Sequence, residues 1–170
     1  IILDCRSSPA RLNIVNPGAD FEEIVSELKG MVADLKAEAL QLDYIFITHA
    51  HINTFSVANK LLNLGDGSGK IVLHEADKFL WDRWEAQALE LGLEQLKHDD
   101  IGEPTMLLSK PDTVLQSGEM KIRCLHTPGV SPGSTCYFFA ELELLYSGCV
   151  LLANAIGRTS WIGIHSLDGT

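Results

Sequence analysis

Thr48-His49-Ala50-His51-Ile52-Asn53-Thr54 follows directly on the apolar run Leu42 to Ile47. From Tyr44 onward that run is aromatic and β-branched and too short for a helix. It therefore reads as a buried strand, Tyr44 to Thr48, with the polar segment at its C-terminal edge. Two histidines two apart at the end of a strand can direct both imidazoles to one side, a common way to begin a zinc site. A catalytic zinc takes three protein ligands and a water, so His49 and His51 need help from elsewhere in the chain.

Upstream, Leu12 to Val15 is a short apolar run closed by the turn signal Asn16-Pro17-Gly18. Asp20 with Glu23 forms a capping box for an amphipathic helix whose stripe is Phe21, Ile24, Val25, Leu28, Val32, Leu35 and Ala39. Downstream, Val57, Ala58, Leu61 and Leu62 mark a second helix, ended by the flexible turn Gly65 to Gly69, and Lys70 to His74 is the next strand. A third helix is expected from Ala76 to Leu91, with Leu80, Trp84, Ala88 and Leu91 inward. Strand-like runs follow at Met106 to Leu108, Thr113 to Leu115, Met120 to Leu125, Thr135 to Ala140 and Leu142 to Tyr146. The front half alternates strand and helix and the back half is mostly strand. No repeat or linker divides the 170 residues, so the expectation is a single α/β domain over residues 1–170, with sheets covered by helices.

The formal charge of −10 disfavours nucleic acid and anionic membrane surfaces, and no basic cluster offsets it. No stretch reaches the length of a membrane span. The chain begins at Ile1 without Met, so a processed start or an incomplete chain is expected, and any targeting peptide lies outside what can be read. Cys5, Cys124, Cys136 and Cys149 show neither zinc-ribbon spacing nor a dense disulfide pattern, which suits buried thiols in a reducing intracellular compartment.

The order of these segments resembles the metallo-beta-lactamase superfamily, within it the glyoxalase II-like branch. Asn16-Pro17-Gly18 is similar to that family's Asp-Pro-Gly turn. Thr48 to Thr54 resembles its signature, in which Asn53 and Thr54 stand where Asp and His are usual. His126-Thr127-Pro128-Gly129-Val130-Ser131-Pro132-Gly133-Ser134 resembles a second segment whose metal histidine falls at Val130. Tyr146-Ser147-Gly148-Cys149 resembles the strand end that presents a bridging Asp at Cys149, and Ile156-Gly157-Arg158-Thr159-Ser160 the turn that follows. The resemblance implies a metallo-beta-lactamase-like αββα sandwich, incomplete at the termini. It also implies a vestigial site of His49, His51, Asn53, Thr54, Val130 and Cys149, because Val130 has no donor atom and Asn53 and Thr54 offer neutral groups. The late histidine of the family falls beyond Thr170, and His165 has neither its context nor its spacing.

Two readings follow. The first is a catalytically impaired, fold-retaining protein that serves as a structural or binding subunit, with no catalytic residues, no cofactor, and a protein partner or a second copy of itself to bind. The second is a mononuclear zinc hydrolase of a thioester or lactone, with His49, His51 and Cys149 as metal ligands. Cys149 is read first as a buried, inert thiol, since cysteine is among the most buried residue types. His126 reads as a loop histidine and Arg158 as a surface or intramolecularly paired cation. Trp84 reads as core, with Trp81 and Trp161 left open between core and a binding patch.

Overall fold

The computed structural model describes residues 1–4, 6, 9–18, 21–35, 40–63, 67–93, 96 and 101–159. Cys5, Asp20 of the expected capping box, Ala39, Gly65, Ser160, Trp161 and His165 lie outside them. The strand that leads to the histidines, β3 (Leu40–Phe46), is the middle strand of a five-stranded sheet. On one side of it lie β2 (Ala10–Val15) and the edge strand β1 (Ile2–Asp4), on the other β4 (Lys70–His74) and β5 (Met106–Leu108). β2 to β5 run parallel and β1 antiparallel. β1 is an addition to the strands expected from the sequence.

A parallel sheet needs both faces covered, and strand alternation divides the apolar residues between them. Ile45, Ile47, Ile71 and Leu73 pack towards the helices. Phe46 and Val72 point the other way, onto Ile122, Tyr137 and Phe139 of a second sheet. That sheet is antiparallel, in the order β6 (Asp112–Ser117), β7 (Met120–His126), β8 (Thr135–Phe139) and β9 (Leu144–Tyr146). Its outward residues Val114, Lys121 and Arg123 are exposed. At one end the two sheets are tied by a polar chain: Asn13 Nδ2 donates to Ser117 Oγ at 2.8 Å, and Ser117 Oγ donates to Asp43, which also pairs with Arg11.

Helix α1 (Phe21–Leu35) lays Ile24, Val25 and Leu28 on the first cluster, as its periodicity requires. The helix expected around Val57 to Leu62 is two short pieces, α2 (Ile52–Phe55) and α3 (Ala58–Leu62). The helix expected from Ala76 to Leu91 is also broken. A 3₁₀ turn (Glu75–Asp77) leads into α4 (Lys78–Asp82), and α5 (Trp84–Glu90) starts after Arg83 leaves helical geometry at φ −101°, ψ 24°. Leu80 and Ala88 are buried as expected, but Leu91 is exposed, because α5 ends at Glu90 and Gly92 turns the chain away at φ +69°. Trp81 is buried, stacked on Phe55 at 3.9 Å, with its Nε1 donating to the Gly102 carbonyl, so it forms no surface patch. Trp84 is half-buried against the same core. A small hairpin of β10 (Leu151–Leu152) and β11 (Ala155–Ile156), not foreseen from the sequence, follows the second sheet. No helix among the described residues is long and apolar enough to cross a membrane.

Candidate functional site

The chain leaves β3 through a loop whose backbone is bonded almost atom by atom to its surroundings. Asn16, held at φ 45° in the turn after β2, accepts from Thr48 N at 2.8 Å and donates from Nδ2 to Thr48 Oγ1 at 2.7 Å. From the second sheet, Tyr137 OH donates to the Ile47 carbonyl and Thr135 N to the Thr48 carbonyl, both at 2.8 Å. Gln87 of α5 accepts from Ile52 N and donates to the carbonyls of Ala50 and Leu80, which explains the use of the break at Arg83: it brings α5 beneath the loop.

Asp77 is the central fastening. Its side chain is fully buried and accepts from Ala50 N at 2.9 Å, Ser131 Oγ at 2.6 Å and Gly133 N at 2.6 Å. It thereby joins the histidine loop to the Pro-Gly loop between β7 and β8. A Cβ at Gly133 would lie 2.6 Å from the Asp77 carboxyl carbon, so glycine is what allows the approach. Neither Asp77 nor Gln87 is marked out in the sequence, since an acid in the first turn of a helix reads only as a favourable charge for its dipole.

His49 and His51 are both buried and brought edge to face, ring centroids 4.7 Å apart. Burial pushes the His49 pKa down to about 4, helped by the neighbouring His51. Burial also lowers His51, with Asp77 opposing. His49 is thus neutral. The Thr48 hydroxyl accepts from Asn16 Nδ2 and lies 2.9 Å from His49 Nδ1, which ties the ring to the loop. Thr54 is turned under the loop, where its hydroxyl bonds the carbonyls of His49 at 2.7 Å and His51 at 2.8 Å.

Five of the six residues singled out in the sequence meet around one cavity of about 230 Å³: His49, His51, Asn53, Val130 and Cys149. Thr54 is the sixth and does not line it. Leu152, Gly157 and Arg158 complete the wall. Cys149 is exposed, contrary to the buried thiol expected, because it lies in the turn between β9 and the hairpin, with solvent rather than core beyond it. Cys124 and Cys136 are buried. Gly148 and Gly157 let this segment close on the rest. A Cβ at Gly148 would meet Thr48 Oγ1 at 2.2 Å, and one at Gly157 would meet the Cys149 carbonyl at 2.0 Å and Val130 Cγ2 at 2.5 Å. Arg158 is exposed and, among the described residues, forms no ion pair. His126 stands apart from the cavity, its Nε2 donating to the Pro132 carbonyl at 2.8 Å and its ring stacked on His74 at 3.8 Å.

These residues fit a metal ion poorly. Val130 presents methyl groups and the Thr54 hydroxyl is already bonded. Among the described residues no three of His, Cys, Asp or Glu are grouped closely enough to hold a metal ion.

A model of the metallo-beta-lactamase superfamily matches residues 14–169. The "Probable metallo-hydrolase YqgX" of Bacillus subtilis is 32% identical over 130 residues, 76% of this chain and 59% of that protein. The hydroxyacylglutathione hydrolase GloC of Haemophilus influenzae is 25% identical over 150 residues, 87% of this chain and 65% of that protein. The chain therefore spans less than two thirds of the length of these curated relatives. Among solved structures, the BLEG-1 B3 metallo-beta-lactamase superposes with a TM-score of 0.67 at 28% identity, covering 90% of this chain and 68% of that one.

Proposed function

The chain belongs to the metallo-beta-lactamase superfamily, a group of metal-dependent hydrolases with this α/β sandwich, and from that premise we propose that it keeps the family's fold and cavity but not its hydrolytic chemistry. It serves as a structural or binding subunit, for a protein partner or a second copy of itself.

The observation that carries this reading is the bonding of Thr54. Its hydroxyl ties together the carbonyls of the two histidines, so the position has become part of the loop's scaffold. A water-activating centre needs ligand charge, geometry and an open position supplied together. Here the cavity offers two neutral imidazoles, an amide, a valine and one exposed thiol. The competing reading, a mononuclear zinc hydrolase built on His49, His51 and Cys149, has in its favour only that these three line the same cavity.

The test is elemental analysis of the purified protein with a turnover assay on a hydroxyacylglutathione thioester, the substrate class in the name of the Haemophilus relative. The expected result is less than stoichiometric metal and no turnover that responds to chelator. A kcat of about 1 s⁻¹ or more, abolished by chelator and by His51→Ala, overturns the proposal in favour of the hydrolase.

A further inference from the structure

We propose that the cavity beside His49 is a receptor for a carboxylate carried on a short, branched apolar tail. This deepens the binding-subunit reading and rests on it.

The sign of the cavity comes first. Among the described residues no Asp or Glu lines it, and the formal charge they bring to it is the Arg158 guanidinium. Among the described residues that guanidinium has no carboxylate of its own. The chain as a whole carries −10, so its long-range field repels anions, and an anion held here owes its binding to local contacts rather than to steering.

The local donors are suited to oxygen. His49 lines the cavity with its Nδ1 held 2.9 Å from Thr48 Oγ1, so its ring is fixed in the wall. Asn53 is exposed on the same wall and brings an amide N–H. A guanidinium fork pairs with both oxygens of a carboxylate, and charge-assisted bonds of this kind are about twice as strong as neutral ones. Val130 and Leu152 line the same cavity and are apolar, which suits a hydrocarbon tail and wastes a polar one. Glu90 lines a second, smaller hollow that shares His51 and Asn53 with this one, and it is not among the residues that line the cavity at Arg158.

The experiment is calorimetric titration of metal-stripped protein with 4-methylpentanoate, its primary amide, and N-acetylleucine. The first two share tail and shape and differ in charge and in the amide's NH2 donor, and the third places the same chemistry on a peptide-like chain end. The acid is expected to bind about tenfold or more tightly than the amide. Arg158→Leu should abolish that preference without lowering thermal stability, because the side chain is exposed, and Arg158→Lys should restore part of it. Asn53→Asp, which adds a negative charge to the wall, should weaken the acid by a similar factor. N-acetylleucine binding more tightly than 4-methylpentanoate assigns the carboxylate to a peptide end; the reverse order assigns it to a free acid. Absence of binding at about 10 mM, equal binding of acid and amide, or a preference that survives Arg158→Leu overturns the proposal. Such a failure without chelator-sensitive turnover leaves the binding-subunit reading standing, whereas chelator-sensitive turnover removes both.

Discussion

On one side of the cavity, residues 47–52 are buried without exception, and their backbone is bonded to Asn16, Asp77, Gln87, Thr135 and Tyr137 from four other segments. On the other side, residues 149–156 are exposed except for half-buried Val150, with Leu151 at 53% and Ile156 at 74%. The hairpin's own ties are local, Val150 N to the Ser147 carbonyl, Gly157 N to the Val150 carbonyl and Ser147 Oγ to the Leu151 carbonyl. The contrast separates two jobs. The histidine wall is coupled to both sheets, so a change there is felt as stability. The hairpin wall carries little of the fold, so a change there is felt by whatever occupies the cavity.

The sharpest way to break this contrast is at Asp77. Asp77→Ala leaves Ala50 N, Ser131 Oγ and Gly133 N without their shared acceptor in a site closed to water. Bonds to a charged acceptor contribute about 1.5 to 3 kcal/mol each and do not add fully, so the expected loss is about 4 kcal/mol in chemical denaturation. Asp77→Asn keeps one acceptor oxygen and should lose less. A loss under about 1 kcal/mol for the alanine variant means that the histidine wall is not fastened there.

Acid offers a second way, through the same wall. The unfolded His49 titrates near 6.5 and the folded one at about 4, so the native state resists protonation. Above pH 6.5 both states are neutral at this residue and its contribution is fully present. Between pH 6.5 and 4 the unfolded chain takes the proton first, and stability falls by about 3 kcal/mol. His51 and His74 are lowered as well, chiefly by burial, and steepen the same limb. Denaturation midpoints at pH 7 and pH 4 measure the drop, and His49→Gln should flatten it. An acid limb unchanged by that substitution places the sensitivity outside the histidine wall.

The sheet strands were largely legible because each is a short, mostly apolar run bounded by turn or loop signals. Lys70 to His74 and Met106 to Leu108 match β4 and β5 residue for residue. The break at Arg83 was not legible, since Leu80, Trp84 and Ala88 keep helical spacing across it and only the pull of Gln87 towards Ala50 explains it. At the cavity, the resemblance to the family singled out His49, His51, Asn53, Val130 and Cys149, which line one cavity, and the lack of a donor atom on Val130 follows from its side chain. What holds them was hidden. Asp77 and Gln87 act through Ala50, and Thr48 through Asn16, partners tens of residues away, and no local pattern carries that information. Cys149 was misjudged for a related reason: cysteine is buried on average, but this one sits where the chain has left the second sheet and not yet entered the hairpin.

The smallest effect on folding is expected at Leu152, and it tests the other wall. Leu152 is 50% exposed and lines the cavity. Leu152→Ser should change stability by no more than about 0.5 kcal/mol, as for other surface positions outside the core. The same substitution removes apolar area that a hydrocarbon tail would cover, at about 25 cal/mol per Å². Covering roughly 40 Å² of that side chain is then worth about 1 kcal/mol, so 4-methylpentanoate should bind several-fold more weakly while the unfolding midpoint stays in place. If Leu152→Ser instead unfolded the protein as readily as Asp77→Ala, the hairpin would be part of the scaffold, and the division between a wall that holds the fold and a wall that chooses the ligand would fail.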